Sequence, residues 1–263
     1  MGKMRRILSV SGGKDSAALA IYMRDKIVDM EYVFCDTEKE LPETYEYLAK
    51  LELVLGKPIL VLKNDGRGFD HYLDLYRGYL PSPGMRWCTR NLKLEPFERY
   101  VGDDEIESYV GIRADEDREG YISTKPNIRP IFPFKEAGLG YSDIVGILNE
   151  AGIGLPSYRK WRSRSGCYFC FFQQKIEWVG LLENHPDLYE LASRYEKTDE
   201  ASGKRFTWCS HESLKELALP ERVAAIKAEH ERRLKHVQQS SSDRLLDIFD
   251  DSDEPKACAI CSL

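Results

Sequence analysis

Short apolar runs alternate with longer helical segments along the first half of the chain. Runs within residues 7–10, 30–37 and 58–62 predict three β-strands, and the first two are each followed by a predicted helix. Because a strand–helix–strand order favours parallel pairing, the pattern predicts an α/β fold with a doubly wound parallel sheet. Ligands of such sheets bind at the carboxyl ends of the strands, so we expect the chemistry there.

A glycine-containing loop joins the first predicted strand to the first predicted helix. Such a junction leaves backbone N–H groups pointing outward, and the helix dipole adds partial positive charge, so a phosphate is the expected ligand. The two glycines allow close approach, the two hydroxyls can donate hydrogen bonds, Lys14 offers a cation, and Asp15 could hold Mg²⁺ or cap the helix. The assigned residues are Ser11, Gly12, Gly13, Lys14, Asp15 and Ser16.

The spacing of this loop matches neither G-x-x-x-x-G-K-[ST] nor G-x-G-x-x-G. The alternative interpretation is a plain Gly-Gly turn that Asp15 or Ser16 caps.

Further candidates follow two later strands. Asp36 and Thr37 end the second strand and are expected to line the same site, and the alternative interpretation is an Asx-type turn and helix cap. Arg113 ends a strand that begins near residue 108 and is placed to contact a phosphate. Its alternative is a surface ion pair with Asp115 or Glu116.

The composition divides the chain into three parts. We expect a nucleotide-binding domain at residues 1–135 and a helical, cysteine-containing region packed on it at residues 136–237. Residues 238–263 are rich in Ser, Asp and Glu, which predicts a mostly disordered acidic tail.

The charge and hydropathy exclude several classes of protein. The formal net charge of −6 argues against a generally basic nucleic-acid binder. No apolar run is long enough to span a membrane, and the basic N-terminus lacks the features of a signal peptide, so we expect a cytoplasmic protein. A basic run at residues 159–164 is either a solvated surface or an anion contact.

Seven cysteines include two C-x-x-C pairs. In a reducing compartment this pattern indicates metal or redox chemistry rather than a disulfide framework. The cysteines are Cys35, Cys88, Cys167, Cys170, Cys209, Cys258 and Cys261.

Five segments in collinear order resemble one superfamily. Residues 11–16 look like the S-G-G-x-D-S loop of the PP-loop ATP pyrophosphatases, which cleave ATP between the α and β phosphates. Residues 34–45 are similar to the D-T-G-x-x-F-P-E-T-Y segment of the PAPS/APS reductase branch. Residues 111–116, 129–133 and 164–170 resemble its G-x-R-A-x-E, R-P-I and R-S-G-C-x-x-C segments.

The resemblance implies ATP as the nucleotide, Mg²⁺ as its counter-ion and catalytic roles for Lys14, Asp15 and Arg113. It adds Gly111 to the nucleotide-binding set. It also implies a [4Fe–4S] cluster, although four thiolates suit a structural zinc ion as well. The expected ligands are Cys88, Cys167, Cys170 and Cys209.

The sequence departs from that branch at three places. Glu38 replaces a glycine, with one residue of extra spacing, and Thr89 stands where the iron–sulfur members have a second early cysteine. The reductases' E-C-G-L-H segment has no counterpart. The pattern is therefore most similar to the ATP pyrophosphatases of bacterial DNA phosphorothioation systems.

That resemblance implies adenylation of an acceptor for sulfur incorporation, with a cysteine desulfurase as sulfur donor. DNA would be bound directly or through partner subunits, no membrane would be involved, and a homodimer is left open. The alternatives are an APS/PAPS reductase with an atypical tail, a tRNA thiolation enzyme, or a nucleotide-binding regulatory subunit with structural zinc. The acceptor and the role of Cys258 and Cys261 are not determined at this point.

Overall fold

A computed structural model describes residues 4–117, 125–198, 203 and 205–240. Its central sheet has five parallel strands in the order β3-β2-β1-β4-β5, so the predicted doubly wound parallel sheet is confirmed. The strands are β1 (Arg5–Ser9), β2 (Met30–Cys35), β3 (Ile59–Leu62), β4 (Ile106–Tyr109) and β5 (Ile128–Ile131).

Helices connect these strands and form most of the C-terminal region. In chain order they are α1 (Lys14–Arg24), α2 (Pro42–Leu55), α3 (Phe69–Leu75), α4 (Trp87–Thr89), a π-helix (Arg90–Leu94), α5 (Glu95–Val101), α6 (Pro133–Ala137), α7 (Tyr141–Glu150), a 3-10 helix (Ser157–Lys160), α8 (Lys175–Asn184), α9 (Pro186–Arg194), α10 (Leu214–Leu217) and α11 (Pro220–Ser240). A small antiparallel pair, β6 (Lys197–Thr198) and β7 (Arg205–Phe206), follows α9.

The two faces of the sheet bury different helices. Successive residues of a strand point to opposite faces, so Leu8 packs in one apolar cluster and Ile7 in another. The first cluster contains the apolar sides of α1, α2 and α7, whereas the second contains Phe97 and Val101 of α5. Both faces are therefore covered, which explains why β1 is almost wholly apolar after its two arginines.

A third cluster joins the C-terminal helices to the sheet domain. Phe69 of α3 lies 4.3 Å from Phe169 between ring centroids, and Phe169 stacks on Trp208 at 5.0 Å. Trp87 and Trp178 are buried in the same cluster. The cluster holds the segment around Phe169 against the carboxyl edge of the sheet.

Two helix starts after the sheet have identifiable causes. Helix α7 begins at Tyr141, after Gly140, and the Gly140 N–H donates to the Asp143 carboxylate at 2.8 Å. Helix α6 begins at Pro133, two residues after the end of β5, because proline suits a first helical turn.

The last two helices, α10 and α11, begin at Leu214 and Pro220. The predicted tail, with Cys258 and Cys261, lies outside the described residues beyond position 240. Among the described helices, none combines the length and the apolar character that crossing a membrane would require.

We expect Leu51→Ala in α2 to lower the free energy of unfolding by about 2–5 kcal/mol, because it leaves a cavity in the first cluster. Leu51 is fully buried, whereas Leu53 of the same helix is 83% exposed. The matched Leu53→Ala variant should change that free energy by less than about 0.5 kcal/mol. Urea unfolding of both variants tests the assignment, and equal destabilisation would contradict it.

Candidate functional site

The loop after β1 makes a sharp turn that only glycine fits. Gly12 has φ +72°, and a Cβ there would lie 2.5 Å from Cγ2 of Thr44 in α2. The Ser11 N–H donates to Oγ of Ser16 at 3.1 Å, and that hydroxyl donates to the Gly13 carbonyl at 3.2 Å. These bonds close the loop over the first turn of α1, whose N–H groups are available to an anion.

Two cations meet one carboxylate beside this loop. Nζ of Lys14 lies 3.1 Å from Oδ2 of Asp15, and Nη1 of Arg113 lies 3.2 Å from Oδ1. Lys14 and Arg113 are 4% and 2% exposed, so these are buried ion pairs. Burial opposes ionisation of Asp15, but the charges of Lys14 and Arg113 outweigh it and hold its pKa below the ordinary value.

Arg113 has further carboxylate partners. Its Nε lies 2.8 Å from Asp115, and its Nη1 lies 3.0 Å from Glu116. The alternative of an ion pair with these residues is thus present in the structure, with Arg113 and Glu116 buried and Asp115 exposed. Although burial lowers the pKa of Arg113, the surrounding carboxylates together raise it, so the guanidinium stays charged.

The sheet order explains why residues 98 positions apart meet. The order of the strands reverses between the neighbouring parallel strands β1 and β4, and the crevice outside such a switch point is where doubly wound sheets bind ligands. Gly111, just after β4, approaches α1 so closely that a Cβ would lie 3.0 Å from the Asp15 carbonyl oxygen. This approach brings Arg113 to Asp15.

Tyr141 lies close to both cations. Nζ of Lys14 is 5.5 Å from the centroid of its ring, and Cζ of Arg113 is 5.6 Å from it. The Tyr141 N–H also donates to Asp115 at 2.9 Å. Sequence reasoning missed this residue because an aromatic side chain at a helix start carries no distinguishing signal.

A segment from the C-terminal region lies over the loop, and we call Ser163–Cys170 the roof segment. The Ser165 hydroxyl donates to Oγ of Ser11 at 3.3 Å. Tyr158, just before the roof segment, donates to the Gly12 carbonyl at 2.8 Å. Neither residue was among the predicted nucleotide ligands, although Ser165 belongs to the R-S-G-C-x-x-C motif and that motif could have indicated it.

Asp36 and Thr37 lie at the carboxyl end of β2, but both are engaged by protein groups. Asp36 accepts hydrogen bonds from the Glu38 N–H at 2.8 Å and from the Tyr45 hydroxyl at 2.7 Å, which is the Asx-type turn of the alternative interpretation. Oγ1 of Thr37 lies 3.1 Å from Sγ of Cys167. Their contact with a nucleotide stays a prediction.

Three of the four predicted metal ligands lie in one neighbourhood. Burial and the adjacent Cys170 thiol raise the pKa of Cys88 to about 12, with Lys93 acting in the opposite direction. Burial, Glu40 and Cys170 raise the pKa of Cys167 well above its ordinary value, again opposed by Lys93. Protonated thiols are poor metal ligands, so a metal would have to displace these protons.

Cys209 has a different set of charged neighbours. Burial, Glu212 and Glu196 raise its pKa to about 12. Within the part of the chain that the structure describes, no three His, Cys, Asp or Glu side chains are arranged to hold a metal ion. The described geometry therefore does not form the four-thiolate set, and the cluster and zinc alternatives both stay predictions.

Comparison with known proteins shows what the sheet domain is similar to. Residues 5–128 match the family model of the phosphoadenosine phosphosulfate reductase domain. These residues are similar to a phosphoadenosine phosphosulfate reductase domain, and we call them the reductase-like domain. The reductase-like domain includes the loop, Gly111 and Arg113, whereas Tyr141, Tyr158 and the roof segment lie beyond the matched range.

A solved structure and two relatives are also similar to this chain. The PAPS reductase of Candida auris, crystallised as a phosphate complex, matches with a TM-score of 0.53 over 64% of this chain and 83% of its own, at 13% identity, which supports the fold. An uncharacterized protein of Methanocaldococcus jannaschii is 30% identical over 69% of this chain. An uncharacterized 37.8 kDa protein of Escherichia phage 186 is 27% identical over 76% of each chain. The chain spans 45% of the archaeal relative's length.

We expect Gly111→Ala to weaken nucleotide binding, because the new Cβ would press on the backbone of Asp15 and move Arg113 away from the loop. The matched Gly146→Ala variant meets no atom within 4 Å in α7 and should leave binding intact. It should also stabilise the protein by about 0.5–1 kcal/mol through helix propensity. Calorimetric titration with ATP measures both variants, and unchanged binding by Gly111→Ala would contradict the close approach.

We expect Asp15→Asn to lower stability at neutral pH by about 1–3 kcal/mol, because it leaves two buried cations short of a partner. The pKa of Asp15 is lower in the folded chain than its ordinary 3.8, so its stabilising effect is complete above pH 3.8 and disappears as the pH falls through the lowered value. The difference in melting temperature between wild type and variant should therefore shrink below that pH.

The control for this experiment is Asp25→Asn, which removes a solvent-exposed partner of Arg24. It should have no measurable effect on the melting temperature at any of these pH values. A difference between wild type and Asp15→Asn that stays constant down to pH 2 would exclude the ion-pair explanation.

Proposed function

We propose that the reductase-like domain binds ATP with its polyphosphate on the Ser11–Ser16 loop and cleaves it between the α and β phosphates. The observation that carries this proposal is the convergence of Lys14 and Arg113 on the loop at the switch point of the sheet. Hydroxyl groups of Ser11, Ser16 and Ser165 surround the same turn. Cations, hydroxyls and helix N–H groups together suit several phosphates in a row.

In the proposed reaction an acceptor oxygen attacks the α-phosphorus of ATP, and the bond to the β-phosphate oxygen breaks. The acceptor gains AMP, and pyrophosphate leaves. Lys14 and Arg113 offset the negative charge that develops on the leaving group, and the loop holds the chain of phosphates in line. Both groups are already in place, so little rearrangement is needed during the reaction.

Asp15 is the residue that would hold Mg²⁺. Its carboxylate is ionised and its side chain is 22% exposed, so it keeps an accessible face besides the ion pairs. When bound, Mg²⁺ supplies further charge neutralisation at the phosphates.

For the acceptor, we propose that adenylation prepares a nucleic-acid phosphate for sulfur incorporation, most specifically in DNA phosphorothioate modification. The transferred AMP converts a phosphate oxygen into a leaving group that sulfur can replace. Support comes from the motif resemblance and from the roof segment, which places Cys167 within 3.1 Å of Thr37 at the same sheet edge. A cysteine desulfurase would supply the sulfur.

A reductase acting on APS or PAPS is the second candidate. The matched family model and the Candida auris enzyme both carry that description. Such an enzyme would also bind an adenine nucleotide at the loop, but it would release sulfite with a dithiol reductant and would form no pyrophosphate from ATP.

We expect Lys14→Ala to reduce pyrophosphate release from ATP by about 10²–10³-fold, the usual cost of removing one group that stabilises transition-state charge. Lys50 is exposed on α2, so Lys50→Ala is the matched control and should keep the wild-type rate. The assay contains ATP, Mg²⁺ and either plasmid DNA or tRNA as acceptor, and it measures pyrophosphate in the first minutes of the reaction.

A parallel assay measures sulfite from APS and PAPS with thioredoxin. Pyrophosphate that depends on Lys14 and on DNA supports the proposal. Sulfite without pyrophosphate contradicts it and supports the reductase. An equal rate in wild type and Lys14→Ala excludes the assigned role of the loop in either reaction.

A further inference from the structure

The basic run at residues 159–164 contains a buried arginine that the proposed ATP reaction does not use. Arg162 is 2% exposed, although its neighbours Arg159 and Lys160 are more accessible. Its Nη2 donates to the carbonyl of Cys167 at 2.9 Å. Its Nε and Nη1 are closed to solvent and have no hydrogen-bond partner in the described structure.

Arg162 also makes no ion pair with any residue in the described ranges. The nearby buried carboxylate of Glu177 already accepts hydrogen bonds from the backbone N–H groups of Ser163 and Gln174. A guanidinium stays protonated at any physiological pH. The folded chain therefore buries a positively charged group that makes one hydrogen bond, to the Cys167 carbonyl. Such a charge is costly to bury without a counter-ion.

Arg162 is associated by position with the roof segment and not with the backbone N–H groups of the Ser11–Ser16 loop. Besides bonding Cys167, it is the charged residue that most strongly opposes the burial-raised pKa of Tyr158. The Tyr158 hydroxyl in turn donates to the carbonyl of Gly12. Polyphosphate would bind on the N–H side of that loop, where Lys14 and Arg113 provide the cations.

We propose that Arg162 is the centre of a second anion subsite, which binds a tetrahedral oxyanion beside the roof segment while the nucleotide is on the loop. A phosphoryl or a sulfonyl group has the oxygen acceptors that Nε and Nη1 lack. Because both atoms are enclosed, binding includes a displacement of the roof segment. The identification of this anion as the acceptor phosphate rests on the proposed function, whereas anion binding by Arg162 does not.

Inorganic sulfate and phosphate are the probes for this subsite. Calorimetric titration of each anion is carried out with the full chain in the presence of saturating α,β-methylene-ATP, which occupies the loop and cannot be cleaved. We expect wild type to bind the probe under these conditions. Arg162→Gln should weaken binding by about 10- to 100-fold, because a charge-assisted hydrogen bond is lost.

Lys160→Gln is the matched control, since it removes an exposed positive charge two residues away and should leave the affinity unchanged. Thermal unfolding without added anion is the second measurement. Gln at position 162 can still donate to the Cys167 carbonyl, and the variant no longer buries an unpaired charge. Its melting temperature should therefore equal or exceed that of wild type, whereas a purely structural arginine would give a lower one.

Three results would overturn the subsite. The first is an unchanged sulfate affinity in Arg162→Gln, and the second is a melting temperature well below wild type. The third needs no variant: if wild type binds no sulfate while α,β-methylene-ATP is saturating, Arg162 is not the centre of a second anion subsite. A preference for phosphate over sulfate identifies a phosphoryl ligand, and the reverse identifies a sulfonyl ligand.

These experiments distinguish the failure of the anion subsite from the failure of the proposed ATP reaction. Sulfate binding that depends on Arg162, in a protein that releases no pyrophosphate, leaves the subsite standing and rejects the ATP reaction. Pyrophosphate release by a protein that binds no second anion rejects the subsite alone.

Discussion

The ion pairs of Asp15 connect the two halves of the sheet. Lys14 comes from the first turn of α1, and Arg113 comes from the chain that leaves β4 on the other side of the switch point. The close approach of Gly111 to α1 makes this connection possible, because any side chain there would press on the backbone of Asp15. These neighbouring strand ends bring the two cations of the site to one carboxylate.

The reductase-like domain supplies part of the site, and the C-terminal region supplies the rest. Ser165 and Tyr158 contact the loop, and Cys167 contacts Thr37 at the end of β2. The aromatic cluster around Phe169 and Trp208 fixes that arrangement. The matching family model ends at residue 128, so it does not include the residues of the roof segment that contact the loop.

The sheet and its loop could be predicted because local patterns specify them. Apolar runs mark buried strands, and the Ser11–Ser16 loop has its chemistry in consecutive residues. Tyr141 could not be assigned in this way, because its proximity to the loop depends on how helices pack across a hundred residues. The start of β4 was placed two residues late because Glu107 interrupts its apolar pattern.

Residues 87–101 show a further limit of pattern reading. Arg86, Arg90 and Lys93 have the spacing of one α-helical face, but a π-helix occupies Arg90–Leu94 and changes the angle between successive side chains.

The cysteines show the same limit. Their spacing predicts that thiols can meet, but it does not predict whether the neighbouring groups favour the thiolate. Burial beside Glu40 and Cys170 favours the thiol at position 167.

The Asp15 carboxylate beside the loop has a consequence for how a nucleotide would bind there. Lys14 and Arg113 already have Asp15 as a counter-ion, so an arriving phosphate exchanges one anionic partner for another. Few salt ions need to leave the protein in such an exchange, in contrast to binding at bare surface charges. The affinity of this loop would then depend on the geometry of the incoming phosphates more than on the ionic strength of the cell.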